Sequence, residues 1–328
     1  MYRIGIDVGG TFTDVTLLNS ETGAYYTYKL SSTLHDQSEA IANGTKETLA
    51  LYGVPVEQLE YFGHGTTVAT NMIIERKGAK TALITTKGFR DLLEIGRQTR
   101  PSLYDIMEDK PETLVRRALR REVDERTMAD GTILRKVLRV LSQLKEKGVE
   151  SLAVCFLFSF LNPENERIVE QCIKETWPEV YCSVSSTILP EFREFERLST
   201  TVINSYLGPR MKMYIHHLQD RIRQVGVRVE PYITQSNGGV MSISSTIQTP
   251  VQTALSGPSA GVMGAVYVAK AAGFLDIITY DMGGTSTDVS LVKDGIAEYT
   301  TKRKVCGLPS GVPMIDVHAV GAGGGSIA

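Results

Sequence analysis

Two stretches of the chain repeat one glycine- and threonine-rich motif bounded by aspartates. Residues 7–15 read DVGGTFTDV and residues 281–289 read DMGGTSTDV, identical at seven of nine positions. Each copy follows one apolar run and leads into another, a pattern typical of a strand, a Gly-Gly turn and a second strand. The sequence therefore predicts two β-hairpins with equivalent tips.

Tips of this composition could bind phosphate groups. Because glycine has no Cβ atom, successive backbone N–H groups can approach an anion, and threonine hydroxyls can join the same nest. A single turn of this kind is usually structural, but a duplicated one favours shared chemistry. The predicted phosphate ligands are four residues in each copy: Gly9, Gly10, Thr11, Thr13, Gly283, Gly284, Thr285 and Thr287.

The aspartate that opens each copy is the predicted magnesium ligand. Mg²⁺ prefers hard oxygen ligands and usually keeps several waters, so a carboxylate beside a phosphate loop is a natural direct or water-mediated partner. Asp7 and Asp281 hold this position and are therefore also candidate catalytic residues. The second aspartates, Asp14 and Asp288, either contact the ion or its water or cap their own hairpins.

Three further residues are candidate catalytic groups. His64 lies between two glycines in a predicted loop, where it either polarises a substrate carbonyl or fixes the loop by hydrogen bonding. Asp316 and His318 are two residues apart on a predicted strand and so share one face. They form either a base with its orienting carboxylate or a structural hydrogen bond, and metal binding is disfavoured because no third ligand is evident.

Other polar residues carry weaker signals. His216 and His217 are consecutive on a predicted helix, so they point about 100° apart and are interpreted as surface or packing residues. Arg97 and Arg100 could pair with a substrate carboxylate.

The apolar pattern predicts the elements that position these groups. Strands are expected at residues 3–8, 15–19, 25–30, 81–85, 151–158 and 227–234, and helices at 37–51, 66–77, 135–147, 163–176 and 197–224. Residues 99–131 are predicted to form an irregular insertion, in which the mixed-charge segment 116–126 is interpreted as a solvated face. The alternation of strands and helices favours an α/β protein in two lobes, divided at residues 188 and 189.

Composition limits the class of protein. The net charge is −2, from 35 basic and 37 acidic residues without long runs of one sign, which argues against nucleic acid as the main partner. The four cysteines lack C-x-x-C spacing, which argues against a zinc site or a disulfide framework. The longest apolar stretch, residues 152–161, is too short to cross a membrane. We therefore predict a cytoplasmic protein without a nucleic-acid or membrane partner.

The paired hairpins resemble those of the actin, hexokinase and heat-shock chaperone superfamily of ATPases. Residues 256–265 (SGPSAGVMGA) resemble its crossing helix, and residues 320–326 (VGAGGGS) resemble its adenosine loop. The resemblance implies a two-lobed actin-like and hexokinase-like (ribonuclease H-like) α/β ATPase fold with ATP and Mg²⁺ as cofactors. It also implies that Gly321, Gly323, Gly324 and Gly325 contact the nucleotide.

Within this superfamily the chain resembles the hydantoinase A and oxoprolinase family, to which acetone and acetophenone carboxylase subunits are related. Residues 63–71 (GHGTTVATN) and 316–328 (DVHAVGAGGGSIA) carry this resemblance. It implies ATP-dependent opening of a cyclic amide, such as a hydantoin or 5-oxoproline, through a phosphorylated intermediate. The alternatives are a ketone carboxylase subunit and a nucleotide-switched regulatory module.

The resemblance also implies an organisation and a partner. Residues 1–188 would form the N-terminal lobe with the first hairpin, and residues 189–328 the start of a second lobe with the crossing helix, second hairpin and adenosine loop. Because this lobe continues further in the superfamily, we expect it to be incomplete, in a fragment or in a subunit that another polypeptide completes. The exposed sheet and helix would favour oligomers, and a hydantoinase B-like subunit is the expected partner.

Overall fold

The fold is given by a computed structural model, which describes residues 1–33, 36–127, 133–134, 140–283 and 287–325. The chain forms two compact units, unit 1 from Met1–Asn71, Met211–Thr301 and Pro313–Ala328, and unit 2 from Met72–Arg210 and Lys302–Val312. Both predicted hairpins and the predicted adenosine loop fall in unit 1. The predicted division at residues 188 and 189 stays a prediction.

The elements are numbered in chain order. The strands are β1 (Tyr2–Val8), β2 (Phe12–Asn19), β3 (Tyr25–Ser31), β4 (Leu59–Thr66), β5 (Thr81–Thr86), β6 (Arg120–Val123), β7 (Arg126–Thr127), β8 (Ile133–Leu134), β9 (Ser151–Cys155), β10 (Tyr181–Val184), β11 (Pro231–Thr234), β12 (Val240–Met241), β13 (Ile277–Met282), β14 (Thr287–Lys293), β15 (Ile296–Ala297), β16 (Tyr299–Thr300), β17 (Arg303–Val305), β18 (Leu308–Ser310), β19 (Met314–Ile315) and β20 (His318–Val320). The helices are α1 (Gln37–Leu51), α2 (Val68–Ile74), α3 (Leu92–Ile95), α4 (Leu141–Lys145), α5 (Glu164–Thr176), α6 (Ser185–Ile188), α7 (Glu194–Gln224), α8 (Ile243–Gln248) and α9 (Ser256–Ala271).

The first hairpin lies inside the six-stranded sheet of unit 1. The strand order is β12-β11-β4-β1-β2-β3, in which β1, β4 and β11 are parallel and β2 is antiparallel to β1. Alternate residues of β1 and β2 enter the core, where Ile4 and Leu17 are fully buried. Helix α1 packs on this face at close range, since a Cβ atom at Gly44 would lie 2.9 Å from the Val15 side chain.

The second hairpin lies in a separate four-stranded sheet of unit 1. Strand β14 pairs antiparallel with β13, and also with β15 at one end and β20 at the other. Helix α9, the predicted crossing helix, shares a core with this sheet through Val262, Val266 and Val292. The same helix contacts β4 and β11 of the six-stranded sheet. Helix α9 therefore connects the sheets that carry the two hairpins.

Unit 2 is built on a parallel sheet with the strand order β10-β9-β5-β6. The prediction of an irregular insertion at residues 99–131 is wrong in part, because β6 lies within it and pairs with β5. The interpretation of residues 116–126 as a solvated face is wrong at Arg120 and Glu125, which are 2% and 3% exposed. Arg120 donates to Glu94 at 2.7 Å, a long-range pairing that a local charge pattern cannot reveal.

Most predicted elements are confirmed to within a few residues. Helix α1 has the predicted bounds, and α5 and α7 start close to the predicted positions. The helix predicted at residues 66–77 is shorter, and of the one predicted at residues 135–147 only α4 falls within the described residues. No helix in the described part of the chain combines the length and the apolar character that crossing a membrane requires.

Candidate functional site

The tip of the first hairpin is open to a ligand. The Gly9 N–H donates to the Phe12 carbonyl oxygen at 3.0 Å and so closes the turn. Gly10 and Thr11 at the apex are exposed. Chain neighbours aside, no described heavy atom lies within 4 Å of the place a Cβ atom would take on Gly10. The apex can therefore be approached closely by an anion.

Thr13 does not face the ligand side of this tip. Its side chain is fully buried, and its hydroxyl lies 2.9 Å from the Ser32 hydroxyl. Ser32 donates its hydroxyl to the Gly9 carbonyl oxygen at 2.8 Å and its N–H to the Thr11 carbonyl oxygen at 3.0 Å. This position corrects the prediction that Thr13 binds phosphate directly, because its hydroxyl fixes the shape of the tip instead.

Thr287 occupies the equivalent place in the second hairpin. It is 5% exposed, and its hydroxyl donates to the Ala322 carbonyl oxygen at 2.6 Å. Its hydroxyl therefore ties the start of β14 to the glycine-rich loop rather than facing a ligand. The two copies share this arrangement. Thr13 of β2 bonds to the segment after β3, which pairs with β2, and Thr287 of β14 bonds to the segment after β20, which pairs with β14.

The predicted adenosine loop lies against the second hairpin. Strand β20 leads into this loop, and the Gly324 N–H donates to the Gly283 carbonyl oxygen at 3.0 Å. Gly283, Gly321, Gly324 and Gly325 are exposed and Gly323 is partly buried. The remaining predicted ligands of this tip, Gly284 and Thr285, lie outside the described residues. The structure thus brings two of the three predicted nucleotide-binding segments into direct contact.

Asp7 and Asp281 lie close enough to interact electrostatically. The pKa of Asp7 is raised above 3.8, first by partial loss of solvation and then by the negative charges of Asp14 and Asp281. The side chain of Asp7 still reaches solvent, so the neighbouring protein removes only part of its hydration. Carboxylates that repel one another beside an anion-binding tip suit a divalent cation.

Other metal-binding arrangements are not found among the described residues, which contain no group of three or more His, Cys, Asp and Glu side chains suited to an ion. An ion at Asp7 and Asp281 would therefore take its other ligands from phosphate and water. Asp14 pairs with Lys29 on β3 at 2.9 Å, and Asp288 lies opposite Asp281 in the β13–β14 pairing.

Two glycines that the sequence analysis did not single out define the space beside these carboxylates. Gly65 of β4 lies opposite Asp7 of β1, and a Cβ atom at Gly65 would be 2.8 Å from Asp7 Oδ1. On α9, a Cβ atom at Gly261 would be 4.0 Å from Asp281 Oδ2. The sequence signal for these glycines is their place in two motifs noted above: Gly65 lies within residues 63–71 (GHGTTVATN), and Gly261 lies within residues 256–265 (SGPSAGVMGA).

His64 lies inside strand β4 rather than in a loop. It is 1% exposed, with Nδ1 3.3 Å from the Ile6 carbonyl oxygen and Nε2 2.6 Å from the Tyr214 hydroxyl. Burial lowers its pKa to about 4. An enclosed imidazole with both nitrogens engaged has no path to a substrate, so the geometry favours the alternative in which His64 fixes the structure by hydrogen bonding.

Acid should destabilise the protein through His64. Because its pKa of about 4 lies below the ordinary 6.5, the unfolded chain binds a proton between these values that the folded chain does not. The free energy of unfolding should therefore fall as the pH drops from 6.5 towards 4, by about 3 kcal/mol from this residue. Thermal unfolding at pH 7 and pH 5 should show a smaller loss for His64→Gln than for the wild type. The exposed His217→Gln should behave as the wild type, and equal losses in all three would contradict the assignment.

Asp316 and His318 are not on one continuous strand. Strand β19 ends before Asp316 and β20 begins at His318, although both side chains are exposed on the face opposite the buried Val317. Within the described residues no hydrogen bond joins the two side chains. The base and orienting carboxylate predicted here are therefore not assembled in this structure.

The structure also locates the two candidate arginines and the two consecutive histidines. Arg97 donates to both carboxylate oxygens of Glu196, at 2.9 and 2.5 Å, so its guanidinium is already engaged within unit 2. Arg100 is exposed, as are His216 and His217 on α7. Of the two interpretations of these histidines, as surface or as packing residues, their exposure supports the first.

Comparisons with known proteins find the same family on both halves of the chain. A family model described as the hydantoinase/oxoprolinase N-terminal region matches residues 3–177, and a model described as hydantoinase/oxoprolinase matches residues 197–328. Caprolactamase subunit alpha of Pseudomonas jessenii is 35% identical, with 100% of this chain and 48% of that protein covered. 5-Oxoprolinase 1 of Arabidopsis thaliana is 33% identical, with 99% of this chain and 28% of that protein covered.

Solved structures show the same likeness. The crystal structure of the ATP-dependent caprolactamase from Pseudomonas jessenii has a TM-score of 0.90 at 34% identity, covering 99% of this chain and 49% of that one. Nucleotide-free acetone carboxylase, from a study of ATP-dependent acetone carboxylation, has a TM-score of 0.86 at 27% identity, covering 98% and 48%. The predicted α/β fold class is confirmed, and the chain spans about half the length of these relatives.

Proposed function

We propose that this chain, which belongs to the hydantoinase/oxoprolinase family, binds ATP at its two hairpins and glycine-rich loop and uses it to open a cyclic amide. One observation carries the proposal. The exposed tip at Gly10 and Thr11, the loop joined to Gly283, and the interacting carboxylates of Asp7 and Asp281 all lie in unit 1.

The residues present fit a nucleoside triphosphate with a divalent cation. The apex of the first hairpin has open backbone that a phosphate could reach. The pKa of Asp7 is raised first by loss of hydration and then by the negative charges of Asp14 and Asp281, and a bound cation would offset both. Asp7 and Asp281 would hold Mg²⁺ directly or through water, while Gly321, Gly323, Gly324 and Gly325 would contact the nucleotide. ATP would supply the phosphoryl group that activates the amide oxygen, a reaction that depends on positioning and charge neutralisation.

Residues of the chain itself would provide that positioning. The buried hydroxyl of Thr13 holds the first tip in shape before any ligand arrives, and that of Thr287 ties β14 to the glycine-rich loop. Gly65 and Gly261 leave room for the two carboxylates. Such preorganisation lowers the cost of stabilising charge in the transition state.

The choice of a cyclic amide rests on the relatives. The caprolactamase structure matches at 34% identity and the acetone carboxylase structure at 27%. A ketone carboxylase subunit is the second candidate, supported by the similarity to the acetone carboxylase structure. A purely regulatory module is disfavoured because both hairpins keep their aspartates and threonines.

We also infer a partner subunit. The caprolactamase relative is named as subunit alpha, and the activity of this chain would then need a hydantoinase B-like polypeptide. The chemistry at the amide carbon could be completed there, since Asp316 and His318, the base and orienting carboxylate expected from the sequence, are not joined by a hydrogen bond within the described residues.

Substrate-dependent ATP turnover tests the proposal. The purified protein, alone and with a hydantoinase B-like subunit, would be assayed for phosphate release with 5-oxoproline, hydantoin, caprolactam, and acetone or acetophenone with bicarbonate. Stimulation by a lactam or hydantoin is expected. Stimulation only by a ketone with bicarbonate would favour the carboxylase, and nucleotide binding without turnover under every condition would favour the switch.

A further inference from the structure

Two side chains bond to the backbone of β1 on either side of Asp7. His64, inside β4, lies with Nδ1 3.3 Å from the Ile6 carbonyl oxygen. Thr67, the residue after β4, donates its hydroxyl to the Val8 carbonyl oxygen at 3.2 Å. These carbonyl groups belong to the residues directly before and directly after Asp7. The backbone that carries the Asp7 side chain is therefore held from both directions along the strand.

The partners of His64 determine which ring nitrogen carries its proton. A carbonyl oxygen only accepts hydrogen bonds, so Nδ1 is protonated and donates to Ile6. Nε2 of the neutral ring is then an acceptor, and the Tyr214 hydroxyl donates to it at 2.6 Å. Thr66 accepts the Val68 N–H at 3.1 Å and donates its own hydroxyl to the Tyr214 oxygen. Each donor in this chain has one acceptor, and the chain ends at β1.

A second, shorter chain of hydrogen bonds ends at Val8. The Thr67 hydroxyl accepts from Asn71 Nδ2 at 3.4 Å, which leaves its proton for the Val8 carbonyl oxygen. The Asp7 carboxylate itself accepts the Val8 N–H. Its position therefore depends on the peptide group between Asp7 and Val8. Because the carbonyl groups of the two adjoining peptides are bonded, that peptide group has little freedom to rotate.

We infer that His64 and Thr67 are positioning residues for Asp7, on the basis of the proposed function in which this carboxylate holds a cation. Tyr214 orients the His64 ring and keeps it in the tautomer that donates to Ile6. Neither His64 nor Thr67 is a ligand of the cation, and each acts through the backbone of β1. Partners that fix a metal-binding carboxylate before the ion arrives reduce the reorganisation that binding and catalysis require.

Replacements that each keep one bond of His64 separate positioning from a general role in packing. Asparagine carries its amide nitrogen the same number of bonds from Cα as Nδ1, so His64→Asn can still donate to Ile6. Glutamine carries its amide group at the distance of Nε2, so His64→Gln can bond to Tyr214 but not to Ile6. Both variants should unfold at a lower temperature than the wild type, since each leaves a buried polar group without its partner. Only the glutamine variant should misplace Asp7.

Steady-state kinetics of ATP turnover test the inference. The protein would be assayed with its hydantoinase B-like subunit and with whichever compound of the substrate panel stimulates the wild type most. We expect His64→Gln to lower kcat by about tenfold and to raise the Mg²⁺ concentration that gives half-maximal turnover, because the Asp7 carboxylate is displaced. His64→Asn should recover most of the rate. The exposed His217→Gln is the control and should match the wild type.

Thr67 provides an independent pair of variants. Thr67→Val removes the hydroxyl while keeping the shape of the side chain, and should lower kcat by a similar factor. Thr67→Ser keeps the hydroxyl and should recover the rate. Equal rates in Thr67→Val and Thr67→Ser, or in His64→Gln and His64→Asn, would overturn the inference.

Two measurements keep this test separate from the proposed function itself. Nitrogen-15 NMR of the histidine rings at neutral pH should show His64 protonated at Nδ1 and not at Nε2, with the signal assigned by its absence from His64→Asn. The opposite tautomer would contradict the positioning role. Calorimetry of Mg²⁺ with a non-hydrolysable ATP analogue should rank the affinities of these variants in the order of their kcat. A wild type that binds this pair but releases no phosphate with any compound would defeat the cyclic-amide proposal and leave the ranking intact, whereas equal affinities in all variants would refute the positioning of Asp7.

Discussion

Replacing Asp7 with asparagine should lower ATP turnover by about 10²–10³-fold, the usual cost of removing one electrostatic group from a preorganised site. The carboxylate stands beside the exposed tip at Gly10 and interacts with Asp281, so its loss removes half of the charge available to a cation. Asparagine keeps the shape and the oxygen but not the charge. The effect should appear in the rate of turnover more than in the affinity for substrate amide, and steady-state kinetics at several Mg²⁺ concentrations would separate the two.

The same substitution should stabilise the protein when neither metal nor nucleotide is present. A carboxyl whose pKa is raised by folding is charged at a cost in the folded state, and this cost is fully present above the raised pKa. Below the ordinary value of 3.8 the group is neutral in both states and the cost vanishes. Asp7→Asn should therefore raise the unfolding temperature at pH 7, and the gain should disappear as the pH falls below 3.8.

A matched control distinguishes this site from general charge effects. Asp109 is exposed in unit 2, and Asp109→Asn should change neither turnover nor the pH dependence of unfolding. Unchanged turnover in Asp7→Asn would remove Asp7 from the catalytic machinery. A lower unfolding temperature in that variant at pH 7 would contradict the electrostatic repulsion described above.

The hairpins could be predicted from sequence because their signals are local. Gly-Gly between two apolar runs specifies a turn, and the alternation of residues specifies the buried face. The bounds of α1 are equally local, since Asp36 caps its N-terminus by accepting the Ser38 N–H at 3.0 Å. The same alternation places Thr13 with Val15 and Leu17 on the buried face of β2, so the burial of Thr13 is predictable from the sequence.

Other features depend on contacts between distant parts of the chain. His64 is enclosed because Tyr214 on α7 reaches its ring, and no local pattern links residues so far apart. Arg120 is buried with its charge paired, because Glu94 of α3 accepts a hydrogen bond from its guanidinium at 2.7 Å. Sequence patterns treat a charged or imidazole side chain as exposed or catalytic by default, whereas the fold can supply a specific partner that makes burial favourable.

Replacing Gly65 with alanine should lower ATP turnover by about 10²-fold, the scale expected when a group in the active site is displaced by about 1 Å. The new Cβ atom would lie 2.8 Å from Asp7 Oδ1, so the carboxylate must move. Gly65 does not have a positive φ, so alanine suits the strand there and the free energy of unfolding should change by less than about 1 kcal/mol.

Gly5→Ala is the matched control for this prediction. Gly5 lies on β1, two residues before Asp7, and its Cβ atom would meet no described atom within 4 Å. It should keep wild-type turnover and stability. If Gly65→Ala also kept full turnover, the position of the Asp7 carboxylate would not matter for the reaction. A large loss of stability instead would mean that the strand rather than the carboxylate had yielded. Reduced turnover in a stable Gly65→Ala protein, with Gly5→Ala unaffected, would tie catalysis to the placement of this one carboxylate by the strand beside it.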